Sequence, residues 1–384
     1  MIPAIDIEVQ ERSRKALLAV AVLCGVVAVV GLLFDPRTTW SGYLIAFGVF
    51  SGLALAGPLF LAIHNLTGAR WSATLVPIAE AMTRTLPVAG WLGLALLGGI
   101  PSIYEWSHPE AVDADALLRH KAAWLNVGGF AIRLVICFAL WIWLGYRLIG
   151  TASSRDVSRE SRIKRSALYM AVFGITYSLA CVDWFQSVEP HWFSTIYALL
   201  GLAGIGSSGL ALLMLATVVL RRAGVLRRDD GQLGDLGKLA LSLSLFWAYI
   251  GFCQYMLIWY TNSPEETPWY ELRHAKGWYA LGVANILLNW LVPFLILMPR
   301  KCRRSETVIF RVAVVMIVGR VVDLFILLMP PLSGTAPRLG LFDAAPIVGA
   351  LALFALVFLR ALGRSSVAAV GASRRPAMGP AGSS

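Results

Sequence analysis

Charge is what this sequence has least of: 14% of its 384 residues are Asp, Glu, Lys or Arg, against 58% apolar. A water-soluble domain of this length is excluded by that balance, because it would lack the polar surface to cover itself. Cysteine is sparse as well. Cys24, Cys137, Cys181, Cys253 and Cys302 lie scattered, with no CxxC, CxxCH or clustered run, so neither an iron–sulfur cluster nor covalent haem is supported. Five histidines are present, His64 near one end of an apolar run and His108, His120, His191 and His274 in or beside the opposite connections. None forms a facing pair that would hold haem between helices. Walker A and GxSxG patterns are also missing, so the chain's own residues are expected to hold no metal and to hydrolyse nothing.

What the sequence does have is length in its apolar runs. Ten segments, at about 16–34, 41–63, 86–104, 122–148, 166–182, 192–220, 236–260, 278–298, 308–329 and 342–359, can each cross ~30 Å of hydrocarbon at 1.5 Å per helical residue. The basic residues fall on alternate connections. With both termini on one side, that side carries 25 Lys and Arg and the other six, while Arg133 and Arg320 lie inside helices. Basic loops stay cytoplasmic during insertion, so both termini are expected in the cytoplasm. The acidic residues run the other way, leaving the inner face near +15 and the outer near −5. A basic rim facing anionic lipid accounts for the net +11 without nucleic acid. The expected organisation is a cytoplasmic segment 1–15, a ten-helix membrane domain 16–362, and a disordered Gly/Ala/Ser/Pro-rich tail 363–384.

Polar groups inside hydrocarbon cost at least ~2.5–3.5 kcal/mol each, so they usually face the bundle interior and mark function. Arg133 is expected roughly 16 Å deep in the fourth span. Arg320 and Asp323 share a face of the ninth span at i, i+3 and can pair. Asp183 falls at the outer end of the fifth span, just ahead of Glu189 and His191. Tyr177 lies deeper in the same span, Gln254 and Tyr255 in the outer half of the seventh, and Asn285 and Asn289 on one face of the eighth. An outer-leaflet pocket of one carboxylate, tyrosines and amides suits a quinol headgroup, because a quinol must shed two protons as its electrons leave. Near the inner surface, Glu80, Asp235 and Lys238 are candidates for the mouth of a proton path, or are plain solvated helix ends.

Several motifs are distinctive together: Asp183-Trp184…Glu189-Pro190-His191-Trp192-Phe193, Phe246-Trp247-Ala248-Tyr249 with Gln254-Tyr255-Met256, Pro264-Glu265-Glu266-Thr267, Gly319-Arg320-Val321-Val322-Asp323 and His120-Lys121…Leu125-Asn126. In these the chain resembles the second NrfD-like membrane subunit of bacterial alternative complex III, a quinol:cytochrome c oxidoreductase. The resemblance implies an all-α, ten-helix integral membrane fold of the polysulfide-reductase type, with two four-helix bundles. It also implies a bacterial inner-membrane location, a bound quinone or menaquinone, and a paralogous membrane subunit beside it. Haem c and iron–sulfur clusters would then sit only in periplasmic partner subunits. The C-terminal tail departs from that family, which would end in an acidic, His-containing stretch. Two alternatives stand beside this reading: an NrfD-like anchor of a molybdopterin-type reductase, and a secondary transporter. Pro58, Pro87 and Pro293 interrupt or flank helices without the two-fold pattern a transporter would show.

Overall fold

The computed structural model describes residues 7–69, 71–151, 157–226, 230–275, 277–334 and 336–363. The expected disordered tail from 364 onward lies outside the described residues. Ten helices are long and apolar enough to cross a membrane, and no strand occurs among the described residues. They are α1 (Ile7–Phe34), α2 (Pro36–Thr67), α3 (Ala73–Ile103), α4 (Val127–Tyr146), α5 (Arg159–Trp184), α6 (Tyr197–Arg222), α7 (Asp230–Thr261), α8 (Trp278–Leu297), α9 (Glu306–Ser333) and α10 (Leu341–Gly363). The protein is an all-α, multi-pass membrane protein.

Local sequence sets the ends. Asp35 accepts a hydrogen bond from the Thr38 amide and Pro36 occupies the first turn of α2, where its missing N–H costs nothing. Gly68 closes the same helix in the left-handed region at φ 63°. Asn126 accepts from the Gly129 amide at 2.7 Å and starts α4 five residues later than the apolar run suggests. α1 extends beyond the apolar run, since the helix is continuous through the charged stretch from Ile7. α3 is composite, with an inner segment Val76–Thr83 that turns at Arg84–Thr85 before the main span.

Packing organises these helices into two rings of four. α2, α3, α4 and α5 contact one another in cyclic order, as do α6, α7, α8 and α9. α2 also packs on α6 and α9, which makes it the shared wall of both bundles and leaves it almost wholly buried. The hairpin-like pair α1 and α10 covers the outer side of α2. α1 itself keeps a large apolar surface, with Val22, Leu23, Val29, Leu33 and Phe34 exposed, as expected where lipid is the solvent.

Candidate functional site

Among the described residues, three ion pairs with a buried carboxylate lie within the spanning helices; Arg84–Glu80 is a loose one at 4.0 Å, and the two close ones lie in different bundles. The first centres on Asp183, whose side chain is 1% exposed in the last turn of α5. Arg133 of α4 meets it at 2.5 Å through Nε and at 3.2 Å through Nη2. The indole N–H of Trp124 donates to the same carboxylate at 2.8 Å. The Arg133 guanidinium also lies over the Trp124 ring at 4.2 Å and donates to the Trp124 carbonyl at 2.9 Å. This fork-like pairing to a desolvated carboxylate fixes Asp183 as a charge acceptor aimed toward Trp124. Arg133 is therefore in an ion pair, and its partner is Asp183 across the α4–α5 contact. Because α4 begins at Val127, Arg133 sits six residues in, about 9 Å deep, level with Asp183.

The second pair joins Arg320 to Asp323 in the middle of α9, as their i, i+3 spacing predicts. Asn285 donates to Asp323 at 3.2 Å, and Asn289 bridges the Asn285 side chain at 2.6 Å to the Gly319 carbonyl at 2.9 Å. A π-helical turn at Leu287–Leu291, just ahead of Pro293, brings both amides onto α9. The Arg320 guanidinium rests where α6 has no side chain, since a Cβ at Gly204 would collide with it. Arg320 Nε is buried with no hydrogen-bond partner among the described residues.

The cluster expected around Asp183 does not assemble as the sequence suggested. Tyr177 is about 120° away from Asp183 around the helix and faces α6, with its hydroxyl against Gly201 beside Cys181. Gln254 is buried with both side-chain amide atoms unpartnered among the described residues, and Tyr255 packs edge-on to Tyr270. Neither joins Asp183. Glu189 and His191 lie further out. His191 binds Asp115 at 2.6 Å on the surface, and that hydrogen bond, before the Leu117 amide, holds the Asp115 carboxyl below its ordinary range. Glu189 is held by Arg273 at 2.6 Å.

Arg273 is the residue that sequence reasoning missed. It is 4% exposed in its side chain, stacks on Trp269 at 3.6 Å, and donates to the carbonyls of Ile326 and Leu327 at 3.2 and 2.8 Å. Those carbonyls are left open because Pro330 and Pro331, four residues on, have no N–H to give. The tandem prolines were the available signal. At the inner end, Glu80 is not a solvated helix end but a buried side chain accepting from the Gly150 amide at 2.7 Å. Asp235 and Lys238 pair at 2.8 Å in solvent.

Two cavities adjoin the end of the bundle that carries Asp183. A cavity of about 390 Å³ is lined by Trp124, Leu125, Val182, Gln186, Ser187 and Phe193 among others, so it shares Trp124 with the Asp183 site while the carboxylate itself stays behind its wall. A larger one of about 1190 Å³ lies over the ends of α2, α3 and α9 and the loops after α5 and α7, and Glu189 and His191 line that one. Lys121 borders both cavities and donates to the Pro190 carbonyl at 2.6 Å. Partial burial there holds its ammonium pKa below the usual value. No group of His, Cys, Asp and Glu able to hold a metal occurs among the described residues.

No family model matches this chain. A Halobacterium salinarum protein, named as the membrane component of a dimethyl sulfoxide reductase, is 25% identical over 316 residues. The chain is similar to a reductase's membrane component. The match covers 73% of this chain and 66% of that relative, slightly under two thirds of its length. The ten spanning helices make this chain a multi-pass membrane protein, in keeping with that relative's naming as a membrane component.

Proposed function

We propose that this chain is the NrfD-like membrane subunit of a quinol-linked oxidoreductase, and that quinol is oxidised at the outer end of the first bundle. The observation that carries the reading is Asp183, a buried carboxylate held by Arg133 and by Trp124, a residue that also lines an apolar cavity of about 390 Å³. That volume is within the usual range for a small-molecule site of apolar lining and few polar groups. A quinol oxidised there gives up two electrons and two protons and leaves as quinone. The electrons pass to an acceptor in a partner subunit; Asp183 takes the two protons in turn, releasing the first toward the nearby surface before it accepts the second. In this reading the electron-carrying groups belong to the partners. The reductase relative favours a molybdopterin-type partner, whereas the motif resemblance favours the haem-c and iron–sulfur partners and paralogous membrane subunit of alternative complex III. Both assemblies would place the chain in a bacterial inner membrane with its termini inside.

Asp183→Asn tests the site. In the intact complex it is expected to lower quinol-dependent electron transfer about tenfold or more, the scale of a lost acid–base group. Assembly is expected to survive, because Arg133 keeps the Trp124 carbonyl and ring and is itself one-fifth exposed. Wild-type turnover in the variant would remove the quinol site from this chain. Metal analysis of the co-purified complex separates the two assemblies: molybdenum supports the reductase, and c-type haem the cytochrome c branch.

A further inference from the structure

The cavity of about 1190 Å³ is not used by the quinol reading, and its chemistry is distinct from that of the smaller one. Its walls come from the outer ends of α2, α3 and α9 and from the loops after α5 and α7. Glu105, Glu265 and Glu266 line it and form no ion pair among the described residues. The remaining ionisable groups are mostly committed within the chain. Glu189 is bound by Arg273, His191 by Asp115, Lys121 by the Pro190 carbonyl, and His108 by the Pro101 carbonyl. Arg37 and Lys121 line the cavity without an ion pair among the described residues, so three unpaired carboxylates face two such cations and the lining stays net acidic. Six prolines contribute to the lining: Pro36, Pro101, Pro190, Pro264, Pro268 and Pro331. Proline has no N–H, so this wall offers little to a strand that would bind by backbone pairing. It offers instead carboxylates and one open aromatic ring, Phe193, 61% exposed, while the Trp192–Trp269 stack at 4.7 Å forms a buried floor.

We infer that this acidic, proline-walled cup is the docking site for a basic, extended segment of a soluble partner protein. Lysine or arginine side chains of that segment pair with Glu105, Glu265 and Glu266, and their stems and charges pack on the Phe193 ring. The inference rests on the reading of the chain as a subunit of a larger assembly. It does not depend on quinol chemistry, and its test is read without turnover.

The test uses the full chain in phosphatidylcholine nanodiscs and a fluorescein-labelled peptide of five Lys-Pro repeats, with five Glu-Pro repeats as the counter-probe. Anisotropy is expected to show binding of the cationic peptide and none of the anionic one. Glu105→Gln, Glu265→Gln and Glu266→Gln together are expected to weaken it about tenfold, the combined effect of three exposed ion pairs. Phe193→Ser leaves every charge in place and should also weaken binding, which diffuse surface charge would not predict. Glu11→Gln with Glu160→Gln, at the opposite end of the helices, should change nothing. Equal binding of both peptides, an unaltered triple variant, or an unaltered Phe193→Ser would each overturn the proposal. So would nanodisc particles holding two chains joined through this face, since a second copy would then be the occupant.

Discussion

Arg320→Ala is expected to destabilise the protein by about 3–5 kcal/mol, the cost of stranding one member of a buried ion pair. Asp323 is 2% exposed, so no discount for solvent screening applies. After the substitution its carboxylate keeps the Asn285 amide at 3.2 Å and loses its counter-charge. The loss is therefore a desolvation cost rather than a Coulomb energy forgone. The same argument makes the paired variant Arg320→Met with Asp323→Leu milder than either half. No charge is then buried, and Asn285 forfeits one acceptor, about 1 kcal/mol. Purified protein in detergent can be unfolded on a graded scale while a thiol-reactive dye reports release of buried Cys137 and Cys181. The expected order of stability is wild type, the double variant, then each single. A double variant that loses as much as the two singles added would show that the pair is not energetically coupled. Arg320→Ala within ~0.5 kcal/mol of wild type would refute the burial argument itself.

Three further outcomes follow from other parts of the molecule. Arg273→Met should cost at least about 3 kcal/mol, because it strands Glu189 and two carbonyls; adding Pro330→Ala and Pro331→Ala should restore part of that loss, read by the same dye, and no recovery would sink the account. A reporter active only outside the cytoplasm, fused after Ser384, should stay silent, whereas one placed in 104–121 should be active; the reverse pattern would invert the topology. Asp115 should titrate below the ordinary carboxylate range of about pH 4 and move up toward it in His191→Gln. Its contribution to holding the 105–121 segment is present above that range and is lost as the pH falls through the lowered value. An Asp115 titration that does not respond to His191→Gln would contradict the hydrogen bond.

Ten spans were legible in the sequence because lipid admits only long apolar helices, and period and length suffice to find them. The Arg320–Asp323 pair was legible for a local reason, since both residues are on one helical face. Asp183 was found at a helix end, but its partner was not. Arg133 is 50 positions away, and its depth was overestimated because an Asn126 cap, not the end of the apolar run, starts α4. Tyr177 was misplaced by reading nearness in sequence as a shared face, when the two residues point about 120° apart. Glu80 was read beside solvated ends because no sequence signal tells that Gly150 of a distant turn offers it an amide.

The tandem prolines of α9 have a consequence for how the protein is made. The outermost turn of that helix cannot complete its own hydrogen bonds, and the missing donors come from Arg273, more than fifty positions earlier in the chain. The loop carrying Arg273 is synthesised before α9, so until α9 has entered the membrane its guanidinium can reach only partners already made, Glu189 and Trp269. Once α9 arrives, the same side chain also closes two open carbonyls, joining the end of the second bundle to the loop that follows the first. Insertion of the helix and docking of the loop therefore finish as a single late event. A chain arrested before Pro331 emerges would hold this outer surface unassembled.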